Sequence, residues 1–159
     1  MKIDVHFEPA APLPDLTGST VVVIDVLRAT SSVVEALVNG AQGVYPAPST
    51  EEAIKLVSSL GREDTILCGE ARGLKIEGFD LGNSPREFSV ETVAGKRLVM
   101  STTNGTRAFF LVEDAVRVLI CSFMNLSAVA AVAMEADSLA IVCAGMEGLF
   151  SLDDAVCAG

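Results

Sequence analysis

The chain has no tryptophan and only one tyrosine and one histidine among its 159 residues, and few of its charges are positive. Eleven lysines and arginines stand against 21 aspartates and glutamates, a net charge of −10. Such a chain lacks the basic field with which a general nucleic-acid binder neutralises phosphates. No apolar run approaches the roughly 18 residues that a membrane span needs. We therefore expect a soluble, cytoplasmic protein with no nucleic-acid and no membrane partner.

Several common catalytic motifs are missing as well. The four cysteines form no C-x-x-C pair, and no Gly-Lys-Ser/Thr of a phosphate-binding Walker loop occurs. The Asp-x-Asp pair of haloacid dehalogenase-type enzymes would need a second acid at position 27, which is Leu27. The single histidine, His6, lies on a predicted edge strand, which argues against a Ser-His-Asp triad. A nucleophilic Cys143 of the arginine-loop phosphatase type would need an arginine at Leu149.

The pattern of apolar residues predicts an α/β fold. Half of the residues are hydrophobic, and apolar runs predict strands at 2–7, 21–26, 43–47, 65–68, 97–101, 116–121 and 139–143, with helical patterns between them. This alternation is typical of a layered, mostly parallel sheet with helices on both faces, here as a single domain over residues 1–159. Residues 8–17 and 69–83 are predicted to be irregular connections.

Polar residues follow four of the apolar runs, at the points where the predicted strands end. Asp25 and Arg28 follow the run at 21–24, and Thr30 and Ser31 stand where a helix should begin. Ligand sites of open α/β sheets form at these carboxyl ends, and helix N-termini hold anions. Asp25 is therefore the strongest candidate for a functional role. The alternatives are a salt bridge to Arg28 or a carboxylate that accepts hydrogen bonds from helix N–H groups.

The same arrangement recurs at three later strand ends. Glu70 follows Cys68-Gly69, with Arg72 close behind as either a second site residue or its surface ion-pair partner. A polar helix start that could cradle phosphate, or could simply be a well-capped turn, comprises Thr102, Thr103, Asn104, Gly105 and Thr106, with Arg107 directly after it. Cys143 and Gly145 close the last strand, and Asp154 lies in the first turn of the final helix, where capping would also explain an acid.

Taken together, five segments resemble the 2-phosphosulfolactate phosphatase family. They are residues 24–31, 69–70, 78–85, 101–106 and 143–145, in this order along nearly the whole chain. The resemblance implies a Mg²⁺-dependent hydrolysis of 2-phospho-3-sulfolactate to 3-sulfolactate and phosphate, in coenzyme M biosynthesis. It also implies that family members extend beyond this chain, so we expect the C-terminal part of the domain to be missing.

This resemblance and the strand-end pattern together define the candidate site. The catalytic candidates are Asp25, Arg28, Glu70 and Cys143. The candidate substrate-binding residues are Thr30, Ser31, Arg72, Asn83, Ser84, Thr102, Thr103, Asn104, Gly105, Arg107 and Gly145. The candidate ligands of the expected Mg²⁺ cofactor are Asp25, Glu70 and Asp154.

Three questions stay open at the level of sequence. The nucleophile is Asp25, Cys143 or a water held by the metal. The substrate is 2-phosphosulfolactate or another small anionic phosphoester, and a non-catalytic anion-binding module is the rival class. The acidic, apolar composition is compatible with a homo-oligomer but does not require one.

Overall fold

A computed structural model describes residues 1–9 and 13–159 of the chain. Residues 10–12, part of the predicted connection at 8–17, lie outside this description. The strands are β1 (Lys2–His6), β2 (Thr20–Ile24), β3 (Gly43–Pro46), β4 (Thr65–Ala71), β5 (Leu74–Lys75), β6 (Arg97–Ser101), β7 (Arg117–Cys121) and β8 (Ser138–Cys143). The helices are α1 (Ala29–Val38), α2 (Thr50–Leu60), α3 (Val90–Val93), α4 (Gly105–Leu111), α5 (Leu126–Ala133) and α6 (Leu152–Ala158). Short 3₁₀ turns occupy Arg62–Asp64 and Pro85–Glu87.

Within the described residues, the strands form two four-stranded sheets. The first sheet has the order β1-β8-β2-β7 and is parallel throughout. The second sheet has the order β3-β6-β4-β5 and is parallel except for the β4–β5 pair. The predicted α/β class with mostly parallel strands is confirmed. Hydrophobic periodicity predicts which residues form strands but not which sheet each strand joins. The division of the strands into two sheets could therefore not be predicted from the sequence.

The central strand of the first sheet explains its β-branched sequence. Val21, Val22, Val23 and Ile24 of β2 are all at most 4 % exposed because β7 and β8 flank the strand and helices cover both faces. Val21 and Val23 pack against α4, whereas Val22 and Ile24 pack against α5 and α6. A strand buried on both faces needs apolar residues at every position rather than at alternate ones.

Helix α1 lies between the two sheets. Its residues Val33 and Ala36 belong to a buried cluster with Leu98 and Met100 of the second sheet, and Ile120 of the first sheet packs against the same cluster. The helix therefore connects the two sheets, and its N-terminal end starts four residues after Asp25. The ends of β2, β4, β6 and β8 and the segments directly after them supply most of the residues that line the cleft described below.

One stretch predicted to be irregular contains a hairpin. β4 continues past Cys68 to Ala71, and β5 returns antiparallel to it, with Glu70 opposite Lys75. The turn residues Arg72 and Gly73 both have positive φ, at 52° and 81°. Two residues of left-handed conformation make the tight turn that suits the twist of a two-stranded hairpin.

No helix among residues 1–9 and 13–159 combines the length and the apolar character that crossing a bilayer requires.

Candidate active site

A cleft of about 390 Å³ lies at the carboxyl ends of the strands. It brings together nine of the residues predicted from sequence, namely Asp25, Arg28, Glu70, Arg72, Asn83, Thr103, Asn104, Gly145 and Asp154. Seven of these residues lie at or directly after the ends of β2, β4, β6 and β8, whereas Asn83 lies on the loop after β5 and Asp154 in the first turn of α6. The structure therefore assembles in one place the polar clusters that the sequence distributes over 130 positions.

Asp25 lies at the base of this cleft and is only 5 % exposed. Thr30 holds its backbone, since the Thr30 hydroxyl donates to the Asp25 carbonyl at 2.7 Å and accepts from the Asp25 N–H at 3.0 Å. The hydroxyl of Ser31 likewise donates to the Val26 carbonyl at 2.8 Å. Thr30 and Ser31, predicted to bind substrate, are thus buried and fix the loop between β2 and α1.

The surroundings of Asp25 disfavour its negative charge. Burial, and after it the carboxylate of Asp154, raises the pKa of Asp25 to about 7, and Glu70 and Asp153 act in the same direction. The backbone N–H of Ala29, in the first turn of α1, opposes this effect. The carboxyl group therefore titrates near neutral pH, in a place where a bound cation would favour its ionised form.

Glu70 ties the β4–β5 hairpin to the loop after β6. Its carboxylate accepts hydrogen bonds from the N–H of Gly73 at 2.6 Å, the N–H of Thr103 at 2.7 Å and the hydroxyl of Thr103 at 3.2 Å. The Thr103 hydroxyl also accepts from the N–H of Arg72 at 3.0 Å. These contacts position Arg72 at the edge of the cleft.

Asp154 has a similar role on the opposite side. Its carboxylate accepts from the N–H of Val26 at 2.8 Å and from that of Gly145 at 3.0 Å. Burial raises the pKa of Asp154, while these two N–H donors lower it. Asp154 therefore joins α6 to the ends of β2 and β8, which places it beside Asp25.

Among the described residues, no three or more His, Cys, Asp or Glu side chains are grouped so that they could hold a metal ion together. The predicted ligands Asp25, Glu70 and Asp154 all line the cleft, but the structure does not bring them into one such group. Glu70 and Asp154 direct carboxylate oxygens at backbone N–H groups instead.

Asn83 supplies an oxygen that has no partner. The residue is 4 % exposed and lines the cleft, and its backbone carbonyl accepts from the Ser32 hydroxyl at 2.9 Å. Its side-chain oxygen Oδ1 is buried without a hydrogen-bond partner. A buried amide oxygen without a donor is costly, so this atom is a ready acceptor or ligand for a bound group. Neighbouring Ser84 does not line the cleft; its N–H donates to Glu87 at 3.3 Å.

Three of the residues predicted to bind substrate in and after the loop that follows β6 do not line the cleft. Thr102 is buried outside the cleft and accepts from the N–H of Thr106 at 3.0 Å, which caps α4. Gly105 does not line the cleft either, but a Cβ at this position would lie 2.6 Å from Oδ2 of Asp25 and would clash with Ala29. Arg107 is exposed on α4, away from the cleft lining.

Cys143 is buried at the end of β8 and is not among the residues that line the cleft. Burial, together with the nearby charge of Asp154, raises the pKa of its thiol to about 12. The thiol therefore stays protonated at neutral pH, and a protonated thiol is a poor nucleophile.

Several residues that line the cleft were not predicted from sequence. They are Leu27, Gly73, Met146, Glu147, Ser151 and Asp153. Three of them, Met146, Glu147 and Ser151, lie on the loop between β8 and α6, where the N–H of Glu147 donates to Asn104 at 2.9 Å. The glycines at 145 and 148 signal a turn in this loop, but their spacing does not indicate that the loop folds back toward Asn104.

The sequence of the chain is similar to those of a known protein family. The family described as 2-phosphosulpholactate phosphatase matches residues 7–159. A probable 2-phosphosulfolactate phosphatase of Caldanaerobacter subterraneus is 49 % identical over 146 residues, which are 91 % of this chain and 61 % of the relative. Proteins of the same name from Thermotoga petrophila and Clostridium acetobutylicum are 44 % and 51 % identical, over 99 % and 89 % of this chain and 66 % and 60 % of their own lengths. The chain thus spans about three fifths to two thirds of these relatives.

Proposed function

Because this chain belongs to the 2-phosphosulfolactate phosphatase family, we propose that it carries the active site of a Mg²⁺-dependent phosphatase. The substrate we assign is 2-phospho-3-sulfolactate, which is hydrolysed to 3-sulfolactate and inorganic phosphate. The substrate is assigned from the names of the relatives, and the residues of the cleft are those that we expect to bind Mg²⁺ and the anionic groups of the substrate.

The observation that carries the proposal is the position of Asp25. A carboxyl group with a pKa raised to about 7 lies at the base of a cleft that Arg28 and Arg72 also line. Perturbed acids in clefts at the carboxyl ends of parallel strands are typical of catalytic sites. The arrangement provides both a negative centre and two cations for an anionic ester.

The donor set fits Mg²⁺. Magnesium prefers oxygen ligands and uses one or two carboxylates together with substrate phosphate and water. The carboxylate of Asp25 and the unpartnered Oδ1 of Asn83 are such oxygens, and both residues line the cleft. We assign these two residues as the holders of the ion, with Glu70 and Asp154 contributing negative charge around it. Bound Mg²⁺ would neutralise phosphate charge as the P–O bond breaks.

Net charge in the cleft supports the same assignment. Five acids line it (Asp25, Glu70, Glu147, Asp153 and Asp154) against the two arginines. The acids outnumber the arginines, so the charged residues of the cleft would on balance repel a substrate that carries phosphate, carboxylate and sulfonate groups. A divalent cation between the acids and the substrate reverses this repulsion.

Arg28 and Arg72 are the residues that we assign to the anionic groups of the substrate. The guanidinium of Arg28 donates to the carbonyl of Gly73 at 3.1 Å, so the hairpin turn fixes its position. Arg72 is held at that turn through its own N–H. Guanidinium groups bind phosphate, carboxylate and sulfonate through paired N–H donors, which gives orientation as well as charge.

We also propose that the enzyme works in the cytoplasm. All four cysteines are buried and carry free thiols. Free thiols persist in a reducing compartment, whereas disulfides are typical of secreted proteins.

A panel of phosphoesters tests the substrate assignment. Phosphate release should be measured for 2-phosphosulfolactate, for the same ester with a carboxylate in place of sulfonate, and for the ester with neither. We expect kcat/KM to fall when carboxylate replaces sulfonate, and to fall at least roughly tenfold further when that anionic group is removed, about the loss of one charge-assisted contact. Equal or faster turnover of the unsulfonated esters would contradict the assignment of 2-phosphosulfolactate.

A further inference from the structure

The first sheet has an apolar groove on the face opposite α4. The groove has a volume of about 360 Å³ and is lined by α5, α6 and residues of the four strands. Val22 and Ile24 lie buried at its floor. Ile3, Met134 and Val156 line it while 51 %, 71 % and 59 % exposed. A large part of this apolar surface therefore faces water, which is unfavourable.

The chemistry of the groove indicates a polypeptide occupant. Every residue that lines it is aliphatic, a methionine, a cysteine or a glycine, and none carries a charged or hydrogen-bonding side chain beyond the thiols. Sites for small ligands usually add a few polar groups that fix the ligand's orientation. A surface without them fits the apolar face of a helix or strand.

Both ends of the chain lie at this groove. Met1 and Gly159 are among the residues that line it. In the relatives named above, about a third to two fifths of the length lies outside the region matched by this chain. A segment joined at either end would therefore start at the rim of the groove, where tethering gives a high effective concentration. A second copy would instead lose translational and rotational freedom on binding.

We propose that the apolar groove is the docking surface for the additional segment of the longer relatives, which binds within the same molecule through an apolar face. Helix α6 connects the groove to the cleft, so a segment docked in the groove would affect the cleft. Cys157 of this helix lines the groove, and Asp154, one turn earlier, holds the N–H groups of Val26 and Gly145. A docked segment would hold α6 in place and with it the arrangement beside Asp25.

Two matched variants test the groove. Ala130 and Ala128 are both exposed on α5, but only Ala130 lines the groove. Ala130→Glu introduces a charge that docking would bury without a partner, whereas Ala128→Glu adds the same charge outside the groove. Both substitutions place a good helix former at an exposed helical position, so both chains should fold. Circular dichroism and thermal melts verify this, and Met134→Lys serves as a second groove variant.

The probe is the part of the Thermotoga petrophila relative outside its matched region, made as a separate polypeptide and titrated into the chain by calorimetry. We expect saturable binding that Ala130→Glu and Met134→Lys weaken at least roughly tenfold and that Ala128→Glu leaves unchanged. Binding should also slow hydrogen–deuterium exchange at Val26 and Gly145. No binding, or binding equal in all variants, would overturn the proposal. The proposal would also be overturned if Ala130→Glu and Met134→Lys dissociated a dimer of this chain and the probe did not compete with formation of that dimer.

Discussion

The carboxylate of Asp154 accepts a hydrogen bond of 2.8 Å from the N–H of Val26, a residue 128 positions earlier in the chain. Its other oxygen accepts from Gly145 at 3.0 Å. Through these two contacts, α6 fixes the backbone directly after Asp25 and the start of the loop after β8. Asp154 is thus a positioning residue whose charge also acts on Asp25.

Asp154→Ala should destabilise the protein. It removes the acceptor of two N–H groups and leaves them buried without partners, at a cost of about 1–3 kcal/mol for each group. Urea unfolding should therefore show a loss of roughly 2–5 kcal/mol. Asp153→Ala is the matched control, since Asp153 is half-buried and bonds to the hydroxyl of Ser151; we expect it to cost less than about 1 kcal/mol. Equal losses in the two variants would contradict the role of Asp154.

The raised pKa of Asp25 predicts a pH-dependent stability difference in metal-free buffer. The pKa is about 7 in the folded chain and has its ordinary value of 3.8 in the unfolded chain. Between these values the folded state holds a proton that the unfolded state lacks, so the contribution of Asp25 to the free energy of unfolding decreases as pH rises.

Asp25→Asn cannot ionise and escapes this decrease. With EDTA present, its stability relative to the wild type should increase from pH 5 to about pH 7 and then level off, by a few kcal/mol in all. Urea unfolding at several pH values measures the difference, with Asp114→Asn on the surface as control. Parallel stability curves for wild type and Asp25→Asn would show that Asp25 is ionised well below neutral pH.

Gly105→Ala should disturb the site although Gly105 does not line the cleft. The added Cβ would lie 2.6 Å from Oδ2 of Asp25 and would clash with Ala29. Overpacking of this kind costs about 1–3 kcal/mol, and the carboxylate must move. We expect a lower melting temperature and weaker Mg²⁺ binding by calorimetry. At Gly43, a Cβ would make only ordinary contact with Tyr45 at 3.7 Å, so Gly43→Ala should leave Mg²⁺ binding unchanged. Equal losses of Mg²⁺ affinity in Gly105→Ala and Gly43→Ala would contradict a specific effect on Asp25.

Asn83→Leu separates binding from stability. Because Oδ1 of Asn83 is buried without a partner, an apolar side chain of similar size should leave the stability unchanged or raise it by about 1 kcal/mol. Mg²⁺ affinity should fall at least roughly tenfold. Asn39→Leu provides the contrast, since Asn39 donates to the Phe88 carbonyl at 2.8 Å and its loss should destabilise without changing Mg²⁺ binding. Unchanged Mg²⁺ affinity in Asn83→Leu would contradict the assignment of Asn83 to the proposed Mg²⁺ site.

The sequence predicts where the site lies better than it predicts what each residue does there. Asp25 and Glu70 could be located because strand periodicity ends just before them and parallel strands share one carboxyl edge. The roles of Thr30 and Ser31 could not be predicted in this way. A hydroxyl after a strand can face a ligand or bond to nearby backbone, and the choice depends on the loop geometry that here turns both inward.

The contacts that sequence reasoning missed are the long-range ones. Nothing in the local pattern indicates that Asp154 reaches Val26 or that Glu147 reaches Asn104. The hairpin at Arg72-Gly73 was obscured because an arginine seldom adopts positive φ. Such features follow from packing between distant segments rather than from the sequence around each residue.

The role of Asp25 in a Mg²⁺-dependent phosphatase is tested most directly by phosphate release from 2-phosphosulfolactate with and without Mg²⁺, by the wild type, Asp25→Asn and Asp114→Asn. Each should be assayed as residues 1–159 and as the same chain joined to the additional segment of the Thermotoga petrophila relative. If Asp25 and Mg²⁺ act as proposed, turnover will depend on Mg²⁺ in at least one form, will fall about a hundredfold or more in Asp25→Asn and will be unchanged in Asp114→Asn. Turnover that does not need Mg²⁺, or that survives in Asp25→Asn, would contradict this role.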